Sequence, residues 1–190
     1  MAERRDLPLF RWDEERRAAR VLRCRLAGRG ALLAAGIAAL TTTIVVPPAP
    51  RLVWNASASM PRGLYLVIPG LPVRTGQMVV AWPPRAVRAL AAERHYLPIG
   101  VPLVKRVGAV PGDRVCANRR RITVEGRGVA DRLDADRAGR QLPAWTGCRT
   151  LHGGSYLLLA TDRPDSFDGR YFGPTEASDI IGRARLLWAR

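Results

Sequence analysis

The chain has 190 residues and a formal charge of +15, enough for one modest domain with appendages. Its hydrophobic share of 47% is ordinary for a globular core. The basic excess does not mark a nucleic-acid binder: the cations are nearly all arginine, are scattered over the whole length, and accompany abundant Ala, Gly and Pro, as compositional bias on a solvated surface would give. The three cysteines, Cys24, Cys116 and Cys148, show no CxxC pairing, which excludes the usual zinc spacings.

Met1 to Gly30 is polar and arginine-rich, with Asp13, Glu14 and Glu15 interspersed. An uncharged run follows, Ala31 to Val46, and stops at Pro47-Pro48-Ala49-Pro50. Alone it falls just short of the roughly 17–25 residues that span a bilayer. Extended back to Leu26 it is long enough, with Arg29 able to snorkel toward the headgroups. The expectation is therefore a transmembrane anchor over 26–46. A cleaved signal peptide fits less well, given the long arginine-rich lead-in and the lack of an A-x-A-like site before the prolines. A buried core helix is the other alternative. Nine arginines precede Ala31, and the positive-inside rule keeps that side cytoplasmic. Residues 1–25 then form a basic cytoplasmic segment, and 47–190 lie across the membrane, which in a bacterium is the periplasm. There a Cys116–Cys148 bridge is chemically permitted; two unconnected buried thiols is the other reading the sequence leaves open.

The remainder reads as short strands between Pro/Gly turns: 64–68, 78–81, 103–110, 122–124, 156–160 and 180–188. One helix is expected over Arg85 to Arg94, with Pro84 at its first turn and Val87, Leu90 and Ala91 at helical spacing. Gly126 to Arg140 has no apolar period and reads as a loop. The fold class is mainly β, a partly closed or sandwich-like antiparallel assembly behind one N-terminal helix.

The chemistry narrows by elimination. No HExxH is present, and the two histidines, His95 and His152, sit in turn-like contexts. The other base is an amine. Lys105 is the only lysine in the chain and lies in the apolar run Val101 to Val110, where alternation puts Leu103, Lys105 and Val107 on one strand face. Burial there would pull its pKa down toward a working base; a lone lysine that points to solvent is the other reading the strand alone leaves open. Arginine could not replace it, because guanidinium does not deprotonate in proteins. The second fragment is Asn55-Ala56-Ser57-Ala58-Ser59-Met60-Pro61-Arg62-Gly63-Leu64-Tyr65, a serine entering a Pro/Gly turn that exposes its hydroxyl.

With these fragments in this order, the chain resembles the type I signal peptidase superfamily, serine peptidase family S26, and most of all its conjugative-transfer branch, the TraF-type peptidases. Ser59-Met60-Pro61 with Arg62-Gly63-Leu64-Tyr65 resembles the nucleophile box. Val104-Lys105-Arg106-Val107 with Pro111-Gly112-Asp113 resembles the lysine box. Asp165 to Pro174 with Ile181-Gly182-Arg183-Ala184 resembles the closing box.

The resemblance implies a signal-peptidase-like β catalytic domain with Ser59 as nucleophile and Lys105 as general base. It implies an oxyanion hole from the Ser59 N–H and the Ser57 hydroxyl, and a supporting ion pair of Asp168 and Arg170. Gly169 departs from the pattern, standing where many relatives have a serine that orients the lysine; Ser166 or a water would then substitute. The implied substrate is a translocated preprotein, a conjugative pilin precursor, cut with or without joining of its termini. The implied partners are that substrate, the lipid bilayer and other conjugative-transfer components, with no direct nucleic acid, no metal and no organic cofactor. A general leader peptidase, a non-catalytic membrane-anchored assembly factor and a self-cleaving DNA-binding regulator are the rival readings.

Overall fold

The computed structural model describes residues 8–46, 49–70 and 72–190, with side chains from Arg16 onward. The first seven residues of the expected cytoplasmic segment and Pro47-Pro48 lie outside the described residues. Two compact units result, Met1–Ala49 and Pro50–Arg190.

The first unit is one helix, α1 (Pro8–Val45), of 38 residues. At 1.5 Å per residue it is about 57 Å long, nearly twice the roughly 30 Å hydrocarbon core of a bilayer. It starts well before Leu26, so the arginine-rich lead-in is helical as well. Its stretch Arg16–Val45 is long and apolar enough to cross a membrane, and none of it is buried within the chain. Leu32, Leu33, Ile37, Leu40 and Ile44 are all exposed. The three threonines in this run do not leave free hydroxyls. Thr41 and Thr42 donate to the Ile37 and Ala38 carbonyls at 2.9 and 2.8 Å, and Thr43 to that of Leu40 at 2.8 Å.

The second unit is mainly β, and all its strand pairings are antiparallel. In chain order it holds β1 (Leu52–Asn55), β2 (Gly63–Ile68), β3 (Met78–Ala81), α2 (Arg85–Glu93), β4 (Leu103–Ala109), β5 (Arg114–Asn118), β6 (Arg121–Val124), β7 (Arg127–Asp131), β8 (Gly147–Thr150), β9 (Ser155–Leu159), α3 (Gly169–Phe172), β10 (Thr175–Glu176) and β11 (Ile180–Ala189). A seven-stranded sheet runs β1-β2-β11-β3-β4-β9-β10, and a four-stranded sheet runs β7-β6-β5-β8.

The large sheet is buried on both faces where it matters. Val79, Ala81, Leu103, Val107 and Leu158 pack into one apolar cluster, while the intervening Val80 and Val104 pack with Met60, Tyr65 and Val67 in another. A third cluster joins the sheets: Leu157 and Leu159 of β9 meet Val115, Ala117 and Ile122 of the small sheet. Gly63 opens β2 where a Cβ would run into the backbone of Trp188 in β11, so only glycine lets these strands approach so closely.

One expectation is corrected here. Gly126 to Arg140 is not all loop, because β7 pairs along β6 from Arg127 to Asp131. The turn is the two-residue Glu125-Gly126, both at positive φ (48° and 76°), as a tight hairpin requires. β7 is an edge strand that is largely exposed, so it carries no apolar alternation to read. Exposure hides β8 in the same way.

Candidate active site

Three separate segments of the second unit converge on Lys105. The lysine sits mid-strand in β4, opposite Val79 of β3, and is only 4% exposed. Its Nζ donates to Ser59 Oγ at 2.6 Å and to Ser166 Oγ at 2.8 Å. Ser59 comes from the loop between β1 and β2, whose next residue, Met60, is buried in the core and fixes the loop to the sheet. Ser166 comes from the segment after β9 and is 5% exposed, its N–H donating to the Arg163 carbonyl at 3.1 Å.

Burial pulls the Lys105 amine down from its ordinary 10.5 to about 8. Asp168 opposes that shift and Arg170 assists it. The two offset each other because they are a pair: Arg170 Nε donates to Asp168 Oδ1 at 2.8 Å and Nη2 to Oδ2 at 3.1 Å, with both residues essentially buried. Asp168 also accepts from the N–H groups of Ala160 and Arg170 at 2.8 and 3.1 Å, so its carboxylate is fully occupied. The remaining guanidinium donors go to the carbonyls of Ala160, Asp131 and Pro164. The pair thus ties β9, the end of β7 and the Ser166 segment together, and it leaves the lysine no free counterion.

Ser57 completes the group. Its Oγ is 2.9 Å from Ser59 Oγ and accepts from the Ser59 N–H at 3.2 Å. Ser57 is exposed and Ser59 partly so, which leaves both hydroxyls accessible from solvent. They open onto a cleft of about 830 Å³ whose lining includes Ser59, Lys105, Ser166, Tyr96, Phe167 and Asp136. Also lining the cleft, the Tyr96 hydroxyl donates to Asp136 at 2.5 Å and holds that carboxyl well below the ordinary carboxylate range. The Tyr96 ring also packs on Phe167 at 5.0 Å, next to Ser166.

All of Ser57, Ser59, Lys105, Ser166, Asp168 and Arg170 therefore lie in one neighbourhood. Gly169 does not face the amine with a missing hydroxyl, since a Cβ there would meet the Leu158 carbonyl oxygen at 2.8 Å. Cys116 and Cys148 are direct partners across β5 and β8 and are joined at 2.06 Å, away from the cleft lining. Cys24 is exposed on α1. His95 and His152 are exposed, and neither lines the cleft.

Sequence reasoning missed Asn55, whose buried amide holds the serine loop. The available signal was an Asx-turn pattern, an asparagine accepting the N–H of the residue two positions on.

Comparison with known proteins accords with this geometry. A family model described as signal peptidase, peptidase S26, matches residues 26–189. The plasmid transfer protein TraF of Escherichia coli is 36% identical over 175 residues, covering 86% of this chain and 93% of that protein. The conjugal transfer protein TraF of Agrobacterium fabrum is 36% identical over 145 residues, covering 70% of this chain and 80% of its own length. Signal peptidase I V of Bacillus subtilis is 31% identical over 90 residues, 42% of this chain and 54% of the relative. The chain belongs to the signal peptidase family, peptidase S26.

Proposed function

We propose that this chain is a membrane-anchored serine endopeptidase in which Ser59 is the nucleophile and Lys105 its general base. One observation carries the reading: the only lysine in the chain is buried, depressed to about 8, and 2.6 Å from the hydroxyl of Ser59.

Once Lys105 has lost its proton to solvent, the neutral amine accepts the Ser59 hydroxyl proton across that contact. Ser59 Oγ then bonds to the scissile carbonyl carbon. The carbonyl oxygen takes the negative charge and displaces the mutual Ser57–Ser59 hydrogen bonds, so the Ser57 hydroxyl and Ser59 N–H turn to it. Collapse breaks the C–N bond, and the Lys105 ammonium returns its proton to the leaving amine. Water, or an amine of the substrate, attacks the acyl-enzyme by the same route with Lys105 again taking the proton. Ser166, whose hydroxyl accepts from Nζ at 2.8 Å, holds the amine in line throughout. The Asp168–Arg170 pair keeps the site neutral and does not enter the chemistry.

The substrate we infer is a translocated preprotein of a conjugative apparatus, in line with relatives named for plasmid and conjugal transfer, and a pilin precursor is the candidate that the TraF-type resemblance implies. The apolar span of α1 would anchor the chain in a bacterial inner membrane. Its arginine-rich start would stay cytoplasmic and residues 47–190 would be periplasmic. Co-expression with a candidate pilin precursor tests this by intact mass. The precursor should shorten with wild type and stay whole with Ser59→Ala; a further loss of one water would mark joined termini. Equal masses with both would contradict the reading.

A further inference from the structure

Asn55 ends β1 and is only 7% exposed, and its side-chain amide bonds to the backbone of the loop that carries the two serines. Its Nδ2 donates to the carbonyls of Ser57 at 3.1 Å, Met60 at 3.1 Å and Pro61 at 3.0 Å, and its Oδ1 accepts the Ser57 N–H at 3.1 Å. An amide has two N–H donors, so three contacts of this length mean at least one is shared. The Tyr65 hydroxyl, from a fully buried ring, adds a second donor to the Pro61 carbonyl at 2.8 Å.

The consequence is local. A buried amide costs free energy unless it is hydrogen-bonded, and here only one path of the loop satisfies it. Ser57 is solvent-exposed, yet both its N–H and its C=O are held by this one side chain. Its Cα, and with it the direction of its hydroxyl, is set from beneath. That hydroxyl is the one 2.9 Å from Ser59 Oγ.

We propose that Asn55 is a positioning residue that aims the Ser57 hydroxyl and the Ser59 N–H at the carbonyl oxygen of the substrate. The inference rests on the reading of those two groups as oxyanion donors. The Asn55 amide spends its hydrogen bonds on the loop backbone and makes none to Lys105, so its effect falls on turnover and, with no charge added, leaves the titration of the base alone. A residue that only stabilised the loop would lower the melting temperature without coupling to Ser57.

The test uses the full chain in detergent and a synthetic peptide spanning the junction where wild type cuts the pilin precursor. Asn55→Ala and the near-isosteric Asn55→Asp should each lower kcat by about 100-fold, the scale of one lost oxyanion donor, with KM within about threefold. In Asn55→Ala, which adds no charge, the acid limb of the pH profile should not move. In a Ser57→Ala background the same changes should cost at most about tenfold, because one of the two groups they aim is already gone. A folded variant that keeps kcat within about threefold of wild type would overturn the proposal. So would a penalty that persists in full in the Ser57→Ala background, or unfolding of both Asn55 variants. If Ser59→Ala cuts the peptide as fast as wild type, the catalytic reading itself fails and this proposal falls with it.

Discussion

Lys105 Nζ donates to Ser59 Oγ at 2.6 Å, although the two residues are 46 positions apart in the chain. The contact depends on β4 lying deep in the large sheet while the serine loop hangs from the sheet's outer pair, β1 and β2. Met60 and Val104, the residues next to Ser59 and Lys105, pack in the same cluster, so the core itself sets the distance. A surface lysine could make the same contact, but without burial its amine would stay protonated up to its ordinary 10.5.

The first expected consequence is a pH profile. Below about 8 the amine is protonated and cannot accept the serine proton. A plot of kcat/KM against pH should therefore rise tenfold per unit on its acid side and level off above about 8. A limb near 6 to 7 would point to a histidine base instead.

Stability should also rise with pH through the same residue. The unfolded chain holds the lysine proton up to about 10.5 and the folded chain only to about 8. Between these values the unfolded state binds more protons, so stability rises with pH across that window. Below it the fold carries the whole cost of a buried ammonium, about 3 kcal/mol at 1.36 kcal/mol per unit. Lys105→Met, similar in length, should raise the melting temperature at pH 7 by about 6 °C, less whatever the lost hydrogen bonds to Ser59 and Ser166 contributed. The gain should shrink as pH approaches 10. Calorimetry showing a less stable Lys105→Met protein at pH 7 would contradict it.

Gly169→Ser asks whether the family's serine can simply be restored. Its Cβ would press on the Leu158 carbonyl oxygen and the Leu157 side chain at 2.8 and 2.9 Å, and overpacking of this kind costs about 1–3 kcal/mol. The variant should melt earlier and be no faster than wild type. Ser166→Ala, which removes the hydroxyl that does reach Lys105, should be the slower of the two.

The bridge between β5 and β8 gives a prediction independent of catalysis. Non-reducing peptide mapping of periplasmic material should find Cys116 linked to Cys148, and reduction should cost about 3–4 kcal/mol for a loop of this length. Alkylatable thiols at both positions would contradict it.

Much of this architecture is legible where burial leaves a pattern. Met78–Ala81 reads as a strand from its apolar run and is β3; Leu103 to Val110 reads as a strand and is β4, one residue shorter. β1 and β5 escape because four or five residues are too short a run to show their alternation, and β7 and β8 because exposed strands owe their pairing to neighbours and turns, which leave no periodicity in their own residues. Lys105 stands out chemically as a lone amine in an apolar strand. Its meeting with Ser59 and Ser166 follows from strand order, which sequence spacing does not encode; only family resemblance brought the three together. Asn55 escaped because a single asparagine before a serine turn looks the same whether it faces water or, as here, the underside of the loop.

The most direct test of the central claim compares wild type, Ser59→Ala and Lys105→Arg on a purified precursor, with folding checked by circular dichroism. Lys105→Arg keeps the positive charge and removes the base. The expected result is a loss of at least about 10⁴-fold in kcat/KM for both variants with the fold intact. A folded Lys105→Arg protein that cleaves within tenfold of wild type would contradict the Ser59–Lys105 account.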